Sequence, residues 1–179
     1  WFNEILSRME KDDVKLLQFL SHCDVPFNRG IINLAGRQYS INNIDFCFEN
    51  IQRKYLVQRY TPYRWNVHKL ISSFCQNKIE LDEKRKINLA FAYYYEKGIT
   101  IDRKELIDFD KLNWLILSCK YYQRANKFSK SGHLLRDVSK TIKSRGLYQV
   151  IIQLGLAEIM GNPKRDSWID YDYAHCCYI

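Results

Sequence analysis

Glycine and proline are scarce in this chain, at seven and three of 179 residues. An all-β architecture is punctuated by such turn residues, so their scarcity favours helix. No apolar run is long enough to cross a bilayer and no signal peptide is visible, so a cytoplasmic protein without membrane contact is expected. The opening residue is Trp1 rather than Met, which leaves room for a preceding segment or a leader. None of the six cysteines forms a CxxC pair. Most lie among apolar residues, so buried free thiols are expected in place of a disulfide framework or a zinc site. Neither GxxxxGK[ST] nor GxGxxG occurs, so this chain by itself is expected not to hydrolyse ATP.

What is present belongs to a globular protein: 46% hydrophobic and 15% aromatic residues, enough for one domain or two small ones. The formal charge of +8 raises nucleic acid as a partner. Many of the cations are interleaved with acids, as in Glu80-Leu-Asp-Glu-Lys-Arg-Lys86, which reads as a solvated helical surface.

The pattern along the chain predicts two helices up to about residue 22, with Asp12 or Asp13 capping the second. Asp24 to Gly36 reads as a connector with a short helical piece, because Pro26, Asn28 and Gly30 interrupt regular structure. Ser40 or Asn42 is expected to cap a helix carrying Ile44, Phe48 and Ile51. Lys54 to Tyr60 is aromatic and β-branched, Thr61-Pro-Tyr-Arg64 is a turn, and Trp65 to His68 returns as a second strand. Helices preceding such a hairpin make it the wing of a winged helix. The exposed positions of the helix before the hairpin would be Asn43, Asp45, Glu49 and Gln52, and two acids among four suit phosphates poorly.

Beyond the hairpin the spacing predicts helices from His68 to Lys78, from Leu81 to Gly98 as C-cap, and, after a polar connector over 99–108, from Phe109 to Phe128. Further helices are expected over Gly132 to Lys143, Leu147 to Met160, and from Ser167 onward. The intervening breaks are placed at Ser129-Lys-Ser-Gly132, Ser144-Arg-Gly146 and Gly161-Asn-Pro163. Tyr148 to Gly155 and Trp168 to Ile179 are similar to first helices of TPR units. The expected fold is thus mainly α: a winged-helix domain over 1–80, then a helical TPR-like region over 81–179 that stops short of a polar capping helix.

The junction Val67-His-Lys-Leu-Ile71 resembles the MHD-type motif in the winged-helix domain of STAND signalling NTPases, the superfamily of NB-ARC and NACHT proteins. The order of the flanking segments is similar too. Leu-rich Asp13–Leu20 is followed by Pro26-Phe27, Leu34-Ala-Gly36, the helix with Phe48, Ile51, Leu56 and Val57, the hairpin, and Asn88–Tyr95. The resemblance implies that His68 hydrogen-bonds the β-phosphate of bound ADP, and that ATP or ADP with Mg is held elsewhere in a longer protein, N-terminal to Trp1. Lys69 stands where the family carries an acidic residue. The implied partners are an upstream nucleotide-binding domain in cis, a protein or small-ligand trigger read by the helical repeats, and further copies in a nucleotide-dependent homo-oligomer. A defence or other regulatory role fits such a protein.

Two alternatives accompany this reading: a winged-helix nucleic-acid-binding regulator with a helical interaction domain, and a helical-repeat adaptor that binds peptide. For the adaptor, Tyr94, Tyr121, Tyr122, Trp168 and Tyr171 are the candidate interaction residues. Rings at helical spacing more commonly pack one helix against the next. His22-Cys23 and His175-Cys176 are neighbours in sequence only, and the carboxylate pairs Asp108/Asp110 and Asp170/Asp172 read as capping or solvated groups. His133 is expected near a helix start.

Overall fold

The computed structural model describes residues 2–97, 108–161 and 167–177. The described residues are mainly helical with one antiparallel hairpin, and they divide into two compact units, Trp1–Ile87 and Asn88–Ile179. The division falls inside a helix, past the boundary expected at residue 80.

The first unit contains α1 (Phe2–Ser7), α2 (Lys11–Leu20), α3 (Arg29–Tyr39), α4 (Ile44–Arg53), β1 (Val57–Thr61), β2 (Arg64–Val67) and α5 (Lys69–Asn77). Helix α2 is its centre. Leu16, Leu17, Phe19 and Leu20 are at most 1% exposed, and the helix packs against α3, α4, α5 and β2. Neither Asp12 nor Asp13 caps it. The N-cap position is Glu10, without a side-chain bond, and both aspartates lie in the first turn, where negative charge meets the positive end of the helix dipole. Asp13 is buried and accepts from Asn50 Nδ2 at 3.3 Å, joining α2 to α4.

The stretch read as a connector is largely helix. Asn28 caps α3, its side chain accepting from the Ile31 N–H at 3.3 Å, and Ile31, Ile32, Ala35 and Gly36 are buried on one stripe. Gly36 faces α4, where a Cβ would meet Ile44 at 3.4 Å in ordinary van der Waals contact. Ser40, expected as an N-cap, instead ends α3 in the left-handed region at φ 53°, and Asn43 caps α4 by accepting from the Phe46 N–H at 3.2 Å.

Strands β1 and β2 pair Val57 with Val67 and Arg59 with Trp65, with a bulge between Arg59 and Thr61. A third piece joins them. Phe27, in the loop between α2 and α3, exchanges both backbone hydrogen bonds with Trp65, at 2.8 and 2.9 Å. Trp65 packs edge-on to Phe48 at 5.2 Å, so the hairpin is fastened to the helical core through its second strand. Ser72 Oγ and Gln76 Nε2 of α5 both donate to the Ser21 carbonyl, at 2.6 and 2.5 Å, which satisfies a carbonyl at the C-terminal end of α2.

Tyr55, between α4 and β1, sits at φ 55° with its side chain 85% exposed. The left-handed region costs a side-chain-bearing residue about 1–2 kcal/mol, and glycine returns about 0.5–1 kcal/mol of that as chain entropy. Tyr55→Gly is therefore expected to raise stability by about 0.5–1 kcal/mol, measurable as a higher urea midpoint at unchanged slope.

The second unit is formed by the later part of α6 (Leu81–Glu96) with α7 (Phe109–Arg124), α8 (Phe128–Ser144), α9 (Tyr148–Gly161) and α10 (Ser167–Cys177). Consecutive helices from α7 to α10 pack on one another, and α7 also reaches α9. Asp108 caps α7, accepting from the Lys111 N–H at 2.9 Å, and this hydrogen bond holds its carboxyl below the usual range. The turn between α8 and α9 falls at Gly146, φ 68°, where the glycine pattern placed it. The turn between α7 and α8 does not fall at Ser129–Gly132. Asn126, at φ 58°, makes that turn, and Ser131 and Gly132 are buried inside α8. Gly132 serves close packing, since a Cβ would lie 3.2 Å from Glu158 Oε1 and 3.3 Å from Ile169. The expected features at Gly98, over most of 99–108 and at Asn162-Pro163 lie outside the described residues.

Candidate functional site at the junction of hairpin and helix

His68 occupies the N-cap of α5, immediately after β2, and is exposed. Its backbone is extended (φ −57°, ψ 138°), and Nδ1 accepts from the Leu70 N–H at 3.3 Å. A ring nitrogen that accepts carries no proton, so the neutral imidazole bears its hydrogen on Nε2. Among the described residues nothing engages that Nε2–H. The local capping role and an outward donor are therefore compatible: one nitrogen closes the helix end while the other stays available. The N-terminus of α5 adds the positive end of a helix dipole, and Lys69 adds a cation where the motif carries an acid.

Beside this junction lies a cleft of about 430 Å³, lined in part by Cys23, Pro26, Asn66, Lys69, Ser72 and Gln76. At Cys23, burial first and then Asp24 push the thiol up, which disfavours the thiolate. Cys47 and Cys75 are likewise pushed up, each to about 11, chiefly by burial. His22 is buried in the turn just after α2, with Nδ1 3.1 Å from the Gln18 carbonyl of that helix. The neighbouring His22 and Cys23 thus show no activated pair. His133 is exposed on α8, and His175 stacks on Tyr171 at 6.2 Å. Asp110 lies in the first turn of α7, and Asp172 pairs with Lys143 at 2.8 Å. Among the described residues no group of three or more His, Cys, Asp or Glu is placed to hold a metal ion.

The candidate interaction residues of the helical region are not brought together as a surface. Tyr121 and Tyr122 are 0% and 1% exposed, which corrects their assignment as contact residues. Tyr121 stacks on Phe91 at 5.0 Å and on Tyr95 at 5.7 Å, and the Tyr122 hydroxyl donates to Glu96. These rings are the packing between helices. Tyr94 is half-buried and edge-on to Tyr95. Trp168 is half-buried, with Nε1 inaccessible and without a hydrogen-bond partner among the described residues, whereas Tyr171 is 72% exposed.

Exposed rings that sequence reasoning passed over include Tyr60 and Tyr63 of the hairpin, at 64% and 81%, and Tyr55 just before it, at 85%. No alternation signals them, since β1 buries Val57 alone and leaves Gln58 to Thr61 exposed. No protein-family model matches the chain, and neither a curated protein nor a solved structure does.

Proposed function

We propose that this chain is the regulatory and sensor part of a STAND-class signalling ATPase. The first unit is its winged-helix module, and the second is a TPR-like region that receives a protein or small-molecule trigger. The order helix, bridge residue, helix, helix, hairpin supports this reading, in which α2, α3 and α4 are the three helices and β1–β2 the wing. The observation that carries the functional reading is His68, which caps α5 through Nδ1 and keeps an exposed Nε2–H.

In this reading the Nε2–H donates to the β-phosphate of ADP held by a nucleotide-binding domain elsewhere in the same polypeptide. That donor is effective for a fixed reason: the Nδ1 bond to Leu70 sets both the tautomer and the ring orientation. Lys69 adds a point charge near the same phosphate. The contact favours the ADP-bound arrangement, and exchange for ATP shifts the population towards the released one. ATP and Mg supply the driving phosphoryl chemistry, and the phosphate loop and metal ligands are assigned to the other domain.

The test is the nucleotide content of the complete polypeptide containing this segment, purified without added nucleotide and denatured to release what it holds. About one ADP per chain is the expected result by the stoichiometry of a single latch. A nucleotide-free protein that also binds no added ADP would sink the assignment.

A further inference from the structure

From Asn50 to Ile79 the sequence contains no Asp or Glu, yet it carries Arg53, Lys54, Arg59, Arg64, Lys69 and Lys78. This stretch spans the end of α4, the hairpin and α5, so the interleaving of charges that neutralises other helical surfaces is missing here. Arg53 is engaged by Glu49 at 3.2 Å. Lys54, Arg59, Arg64 and Lys69 form no ion pair among the described residues. Arg59 is held in place by donating from Nη2 to the Pro62 carbonyl at 3.0 Å.

Alternating with these cations are Tyr55, Tyr60 and Tyr63, all exposed and without a ring partner among the described residues. The bulge between Arg59 and Thr61 leaves Tyr60 without a ladder partner on β2. A bulge at such a place re-aims a side chain. Exposed rings set among unpaired cations make a surface that offers stacking and phosphate neutralisation together.

We infer that the outer surface of the β1–β2 hairpin binds single-stranded nucleic acid, with bases stacking on Tyr60 and Tyr63 and the phosphate backbone running along Arg59 and Arg64. Duplex fits less well. Docking α4 against a groove would bring its exposed Asp45 and Glu49 towards phosphates, although Arg29 and Arg53 partly offset them. Unpaired bases present the π-faces that the tyrosines need, and these rings have no such partner in a closed duplex. This inference does not depend on the role given to His68.

The test is fluorescence anisotropy of labelled oligothymidylate and of a duplex of equal length, titrated with the 179-residue chain. Expected is single-strand binding that weakens at least about tenfold between roughly 50 and 200 mM salt. Arg59→Ala/Arg64→Ala should weaken it further and flatten the salt slope by about one to two. Tyr60→Ala/Tyr63→Ala should cost at least about tenfold with the salt slope unchanged. Because both rings are exposed, far-UV circular dichroism should match wild type. Any of three results overturns the proposal: no oligothymidylate binding at the lower salt, tyrosine variants that bind as wild type, or duplex bound as tightly. Displacement by polyglutamate as efficient as by oligothymidylate would do so too, since the surface would then be a general anion-binding one.

Discussion

Phe27→Ala is expected to destabilise the first unit by about 3–5 kcal/mol, the range for removing a fully buried ring. Phe27 is 1% exposed and lies edge-on to Phe48 at 6.5 Å. Its main chain also pairs with Trp65, so one residue joins the loop after α2, helix α4 and the second strand. The backbone bonds survive the substitution, whereas the ring that fills the space beneath the hairpin does not. A cavity would open where the strands meet the helices. Since domains hold only about 5–15 kcal/mol in total, much of the unit would unfold under mild urea. Phe27→Leu should cost far less, because most of the volume stays. Urea titration of both variants decides the matter; a loss below about 1 kcal/mol for alanine would mean that the ring does not anchor the hairpin.

Tyr122 should be the corresponding point of the second unit, and two substitutions separate what its ring and its hydroxyl do. Tyr122→Ala removes a side chain that is 1% exposed and lies edge-on to Tyr93 at 5.7 Å, at an expected cost of about 3–5 kcal/mol. Tyr122→Phe keeps the ring and removes only the hydrogen bond to Glu96, which is worth about 1.5–3 kcal/mol for a charged partner.

The pH dependence of the phenylalanine variant follows from the same bond. Burial first, and then the hydrogen bond and charge of Glu96, hold the Tyr122 hydroxyl above its ordinary range. A group with a raised folded value contributes fully below its unfolded value, about 10 for tyrosine, and loses that contribution as pH rises beyond it. Wild-type stability should therefore fall on going from about pH 8 to about pH 11, and Tyr122→Phe should fall less steeply. Tyr39, raised by burial and its 2.8 Å bond to Glu83, adds to the same alkaline slope from the first unit. Parallel slopes for wild type and Tyr122→Phe would show that the hydroxyl is not bound in the fold.

The elements that could be read from sequence are those whose signal is local. The hairpin announced itself through aromatic and β-branched strands around Pro62, and α5 through Leu70, Ile71 and Phe74. His68 stood at their junction because the strand pattern ended there and the helical one began. Gly146 marked its turn because a positive φ favours glycine.

The misplaced features arose where one residue type serves two purposes. Asn28 looked like a break but caps α3, Gly36 lies buried inside that helix, and Gly132 is there for close packing rather than for a turn. Asn126 bends the chain at φ 58° with no glycine to advertise it. The bridge from Phe27 to Trp65 joins residues far apart in sequence, and no local pattern encodes such a pair. The burial of Tyr121 and Tyr122 agrees with the packing role favoured for rings at helical spacing, but the spacing alone could not single out these two from the exposed Tyr171, because a ring looks alike whether it meets another helix or solvent. The charge of the hairpin was obscured by counting cations along the whole chain, when the informative quantity was the absence of acids between residues 50 and 79.

The most direct measurement on the central proposal is the ADP dissociation rate of the complete polypeptide carrying His68→Ala or His68→Asp, against wild type. Alanine removes both the cap and the donor, and should also cost about 1 kcal/mol of helix stability. Aspartate preserves the cap, since its carboxylate can accept from the Leu70 N–H, but sets a negative charge where a phosphate would lie. The account predicts that both variants release ADP at least about tenfold faster, equivalent to about 1.4 kcal/mol of lost contact, with the aspartate variant as stable as wild type. ADP retained by His68→Asp as tightly as by wild type would contradict it, and would leave His68 as the cap of α5 alone.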